Sequence, residues 1–183
     1  LLTLHFNKVK DNKEYQYLED ISNKVRSIAL IHEHLYHTEQ FEKIELKSYL
    51  KDLLEHYLAL HTSDTEFAYE IIEDQAIHLN LETVMPIGII CTELISNSLK
   101  YGRRPDQMLK LEFKLQSLES KYILKFHDNG IETNRKFTDQ IKSGMGTLLI
   151  DSMVRQLQAQ SSPTINGTAS FNLVFQEKII SKV

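Results

Sequence analysis

The chain has 183 residues, 42% of them apolar, and a formal net charge of −4. That length suits one medium domain, or a small one with an appendage, and the apolar content supplies a packed core rather than a disordered chain. The acidic balance, with Lys and Arg scattered, gives no electrostatic footprint for nucleic acid and none for an acidic membrane surface.

Residues 14–37 are expected to form a long helix. Leu18, Ile21, Val25, Ile28, His32 and Leu35 recur in steps of three and four, a coiled-coil-like seam with Lys24, Arg26 and Glu33 off it. Leu1 to Phe6 reads as the end of a partner helix, joined by the polar turn Asn7 to Lys13. A half-hairpin of this kind completes a four-helix bundle by dimerising. Residues 45–61 are a second helix, with Leu46, Tyr49, Leu50, Leu53, Leu54 and Tyr57 on its apolar face. Phe67–Ile72 and Ala76–Leu81 are short strand candidates.

The next helix runs over 84–100, with Pro86 near its start and Gly102 as its stop. Cys91 lies on it among Ile89, Ile90 and Leu94, so it reads as a buried small hydrophobe. A lone cysteine excludes an internal disulfide and fits a reducing, cytosolic setting. Segments 109–116 and 121–128 alternate about the polar turn Ser117 to Ser120, a β-hairpin. Residues 131–145 are a loop long enough to be functional. Thr147–Gln158 is a helix and Thr168–Phe175 a final strand. This order predicts an α+β protein: a two-layer α/β sandwich whose sheet is covered on one face. No apolar run approaches the ~20 residues of a membrane span, and no signal peptide is visible. The opening Leu1-Leu2 reads as the start of an excised fragment, whose parent has room for a membrane anchor.

Chemistry concentrates in three places. Glu93, Asn97 and Lys100 are spaced four and three apart, so they share one stripe at the edge of the apolar arc made by Ile87, Ile90, Cys91, Leu94, Ile95 and Leu99. Asn97 offers a neutral oxygen suited to Mg²⁺. Glu93 can hold or polarise a water, and Lys100 can neutralise phosphate charge. Asp128 continues the parity of Tyr122, Leu124 and Phe126, so it points to the core face, where a carboxylate needs a donor such as the exocyclic amine of adenine. Gly130 lets backbone approach the base. Gly144 and Gly146 precede a helix whose N–H groups suit phosphate. Each signal has a bland reading beside it: a solvated helix edge, a simple Asp-Asn-Gly turn, a glycine-rich loop. Their order and spacing favour a magnesium–nucleotide site.

With those residues in view, the chain resembles the Bergerat-fold ATPases, and within them the catalytic domain of sensor histidine kinases. ETVMPIGIICTELISNSLKYG resembles the N box, FHDNG the first glycine box, GMGTLLIDSMVRQL the second, and NGTASFNLVF the closing strand. The segment NKVRSIALIHEHLYHTEQFEKIELKSYLKDLL is similar to the second helix and linker of the second HisKA-type dimerisation subgroup. The absence of Trp separates it from the subgroup named for His, Trp and Glu signatures.

The resemblance implies a division into residues 1–40, the end of a dimerising helical hairpin, and 41–183, the ATP-binding domain. It implies that Asn97 coordinates Mg²⁺ with Glu93 nearby on water or metal, that Lys100 approaches the phosphates, and that Asp128 reads adenine. Gly130, Gly144, Gly146 and Thr168 join the nucleotide contacts, and 131–145 form the ATP lid. It further implies a response-regulator receiver domain as partner, and a phosphoacceptor histidine upstream of Leu1, so that this fragment lacks it. Glu132 stands where the family has a second glycine, which leaves a non-catalytic signalling scaffold as the competing reading.

The remaining histidines have simpler readings. His32 falls on the apolar seam and is expected to pack there. HEHLYH is not the metalloprotease pattern, because Tyr36 stands where the second histidine would be. His34 and His37 are one turn apart without a third ligand. His127 alternates away from Asp128 and is expected to be exposed.

Overall fold

A computed structural model describes residues 43–60, 67–102, 106–130, 145–166 and 168–179. The expected helix over 14–37, its histidines, Gly144 and all of the expected 131–145 lid except Met145 lie outside them.

The described elements are β1 (Ile44–Glu45), α1 (Leu46–Leu60), β2 (Phe67–Glu73), β3 (His78–Leu79), α2 (Leu81–Tyr101), β4 (Leu109–Leu118), β5 (Lys121–Asp128), α3 (Met145–Gln156), β6 (Gln160–Asn166) and β7 (Thr168–Phe175). One five-stranded sheet has the order β2-β4-β5-β7-β6, and β1 pairs with β3 in a small separate ladder. β2 runs parallel to β4, and the other neighbours are antiparallel. The predicted two-layer architecture is borne out.

Alternation builds the inner layer. Leu109, Leu111, Phe113 and Leu115 of β4 are buried, as are Leu124 and Phe126 of β5 and Phe171, Leu173 and Phe175 of β7. Cross-strand pairs lock this face. Phe113 opposes Phe126 with ring centroids 5.0 Å apart, and Tyr122 opposes Phe175 at 5.6 Å. Against this face lies α2, buried at Val84, Ile87, Ile90, Cys91, Leu94, Ile95 and Leu99. A helix apolar over so wide an arc belongs in an interior. α1 contributes Leu46, Tyr49, Leu50, Leu53, Leu54 and Tyr57, as the periodicity predicted.

The strand expected over Ala76–Leu81 is only His78–Leu79, the expected turn begins two residues late because β4 runs to Leu118, and three further departures have a clear cause. α2 begins three residues early, because Asn80 caps it: the Asn80 side chain accepts from Thr83 N–H at 3.0 Å. Pro86 therefore lies beyond the first turn, where it removes one helical hydrogen bond. The cap itself is tied down by the chain after β7. Asn80 N–H donates to Glu177 at 2.8 Å, Asn80 Nδ2 to the Lys178 carbonyl at 2.6 Å, and Lys178 N–H to Thr83 Oγ1 at 2.9 Å.

α3 starts at Met145 and ends at Gln156, two residues earlier than expected at each end. Gln158, at φ 53, makes the left-handed close that glycine usually supplies. Ala159 N–H reaches the Val154 carbonyl and Gln158 N–H the Arg155 carbonyl, the paired bonds of a Schellman ending. The third departure is β6, which the sequence hid. Its polar residues and Pro163 argue against a strand, yet it lies at the sheet edge, where proline is tolerated.

Capping and burial set three measurable expectations. Asn80→Ala is expected to lower unfolding free energy by about 1–2 kcal/mol, read by urea denaturation. Burial raises the Cys91 thiol above its ordinary 9.0; burial, and then the nearby Cys91, raises the Tyr49 phenol above 10.0. Both groups are neutral when protonated. Above about pH 9 the unfolded chain gives up protons that the folded chain retains, so stability is full below that pH and falls as pH rises. The urea midpoint is expected to drop between about pH 9 and 11, and Cys91 to react with a thiol reagent only once the protein is unfolded.

Candidate functional site

Asp128 is the last residue of β5 and continues its buried face at 2% exposure. A carboxyl group placed there requires donors, and two are present. Gly130 N–H donates to Oδ1 at 2.9 Å, and the Ser98 hydroxyl donates to Oδ2. Each carboxyl oxygen keeps further acceptor capacity. Asn129 fastens the strand end against β4. Its Oδ1 accepts from Lys110 N–H at 2.7 Å, and its Nδ2 donates to the Met108 carbonyl at 3.1 Å. Asp128-Asn129-Gly130 is therefore more than a turn: one side chain aims inward while its neighbour extends the ladder.

Gly130 closes against the end of α2. A Cβ on Gly130 would stand 2.5 Å from both the Cα and the carbonyl oxygen of Gly102. Gly102 ends α2 in ordinary right-handed geometry, its N–H bonded to the Ser98 carbonyl at 2.8 Å. Glycine is needed at this contact for close approach, not for an unusual φ.

The stripe on α2 spans a burial gradient. Glu93 is buried at 3% exposure, Asn97 is half-buried, and Lys100 is exposed. Glu93 lies against the first turn of α3, since a Cβ on Gly146 would stand 2.5 Å from its Oε2. A carboxylate at a helix N-terminus is favoured by the dipole there. Gly146 is thus inside the helix rather than ahead of it. Thr168 opens β7, as expected for the closing strand. His127 is exposed and Cys91 fully buried, both as expected.

Among the described residues no group of three or more His, Cys, Asp or Glu converges on a metal position. Asn97, half-buried on α2, offers one neutral side-chain oxygen of the kind a hard cation such as Mg²⁺ takes. No helix among the described residues is long and apolar enough to cross a membrane. Sequence reasoning missed Ser98 and Asn129. Ser98 carried a signal, because it falls on the apolar arc of α2, where a hydroxyl must find a partner.

Residues 1–61 match a family model described as histidine kinase, HisKA_2. No curated protein sequence matches the chain. Among solved structures, the chain is similar to the histidine kinase domain of the Erythrobacter litoralis EL346 blue-light activated histidine kinase. Identity is 15% and the TM-score 0.70, over 85% of this chain and 73% of that one. The Acinetobacter baumannii histidine kinase AdeS is similar at 15% identity and TM-score 0.60, over 97% and 92%. The catalytic domain of histidine kinase ThkA is similar at 10% identity and TM-score 0.56, over 75% and 97%.

This is the histidine-kinase catalytic fold. The resemblance to histidine kinases is borne out by the family model over residues 1–61 and by the fold of the similar solved structures. Within that fold, the two glycines just described differ in what surrounds them. Gly130→Ala is expected to cost about 2 kcal/mol or more, because backbone must move. Gly146→Ala meets only the end of the Glu93 side chain and is expected to cost about 1 kcal/mol or less. Paired urea titrations check the order.

Proposed function

We propose that this chain is the ATP-binding catalytic part of a two-component sensor histidine kinase, acting in the cytoplasm. Residues 1–40 are then the end of a dimerising hairpin and 41–183 the catalytic domain. The observation that carries the reading is Asp128, held on the buried face at a strand end by Ser98 and Gly130, beside the helix bearing Asn97 and Lys100. A buried acceptor fixed in this way selects a ligand that brings an N–H donor, as the 6-amino group of adenine does.

Asn97 offers its side-chain oxygen to Mg²⁺, and Lys100 brings positive charge to the phosphate end. Glu93, Asn97 and Lys100 form the catalytic set of this reading. Gly130 borders the base with its backbone while it closes on Gly102, and Gly144, Gly146 and Thr168 complete the nucleotide contacts. Bound Mg²⁺–ATP supplies the γ-phosphoryl group and neutralises its charge. The residues act by positioning and electrostatics, which is what phosphoryl transfer demands of a protein. The acceptor is a histidine upstream of Leu1, and a response-regulator aspartate receives the group from it.

Calorimetric titration of Mg²⁺–ATP is expected to show binding to the chain and loss of about 100-fold or more in affinity on Asp128→Asn, which turns one acceptor oxygen into a donor. With radiolabelled ATP the chain is expected to gain no acid-labile label. Absence of ATP binding to the unaltered chain would replace this reading with that of a non-catalytic scaffold.

A further inference from the structure

Ser98 lies between Asn97 and Lys100 in sequence but turns the other way, at 4% exposure. Its two bonds belong to one closed circuit. The Ser98 hydroxyl donates to Asp128 Oδ2, and Asp128 Oδ1 accepts from Gly130 N–H at 2.9 Å. Gly130 packs backbone to backbone on Gly102, and Gly102 N–H returns to the Ser98 carbonyl at 2.8 Å. The circuit joins the end of α2 to the end of β5.

The terminal torsion of an aspartate is broad and soft. One donor on one oxygen leaves the carboxyl free to turn about that bond. Two donors from different elements, one on each oxygen, fix its plane. A fixed plane also fixes where the remaining lone pairs point, and so which ligand donor they can meet. Preorganisation of this kind raises affinity and selectivity without touching the ligand.

We infer that Ser98 is a positioning residue for base selectivity: its hydroxyl orients Asp128 so that a purine with a 6-amino group is preferred over one without it. The inference rests on the reading of Asp128 as the base contact.

The test compares ATP with purine riboside triphosphate, which has the same phosphates and sugar but no 6-amino group. Affinities of both are measured by calorimetry, with Mg²⁺, for the full chain and for Ser98→Ala and Ser98→Thr. The unaltered chain is expected to prefer ATP. Ser98→Ala is expected to weaken ATP by about 10-fold while leaving the analogue within about twofold, so the preference collapses. Ser98→Thr keeps the hydroxyl and is expected to keep the preference. Partial unfolding scales both affinities alike, so their ratio reports the base contact even in a destabilised variant. Equal weakening of both nucleotides by Ser98→Ala, or loss of the preference in Ser98→Thr, overturns the inference alone. An unaltered chain that binds neither nucleotide overturns the nucleotide reading and this inference with it.

Discussion

A carboxyl group on the buried face of a sheet is a demand that the surrounding chain must meet. Asp128 makes that demand at the end of β5, and the local architecture answers it. α2 must end close enough for Ser98 to reach the carboxyl. Gly130 must lack a side chain so that the strand end can touch the helix end at Gly102. Asn129 must hold the strand against β4 so that Asp128 keeps its parity. Without these supports the group would be a buried, poorly satisfied polar side chain, which is costly wherever it occurs. With them it is a fixed acceptor, placed where a small ligand can supply the remaining donor.

The helix that answers this demand also forms the middle of the hydrophobic layer. Ile87, Ile90, Cys91, Leu94 and Ile95 are buried over its central turns, between the sheet on one side and α1 and α3 on the others. Its polar residues collect where that burial thins out. Glu93 is still covered by α3, Asn97 is partly open and Lys100 reaches water. One element therefore does two jobs along its length: apolar packing sets its position, and the position sets the geometry of the stripe.

Much of this was legible in the sequence for a definite physical reason. Alternation with period two gave β4, β5 and β7, because one face of each is apolar and the other polar. The helical period gave α1, most of α2 and α3. The inward direction of Asp128 followed from Tyr122, Leu124 and Phe126 alone. What escaped was local and specific. The start of α2 depends on an asparagine cap that precedes the apolar pattern rather than belonging to it. β6 has no apolar alternation, since an edge strand owes its pairing to its neighbour's backbone. The Ser98 bond joins residues 30 apart, and no single-element pattern can express it.

The strap at the far end of α2 changes how that helix is to be thought of mechanically. Glu177 and Lys178 grip Asn80 and Thr83 at its beginning, while Gly130 and Asp128 grip its end. A helix of 21 residues is about 30 Å long, and its rise per residue is stiffly set by its hydrogen bonds. α2 is a beam clamped at both ends by segments far apart in sequence. Sliding it along its axis would strain both sets of contacts together.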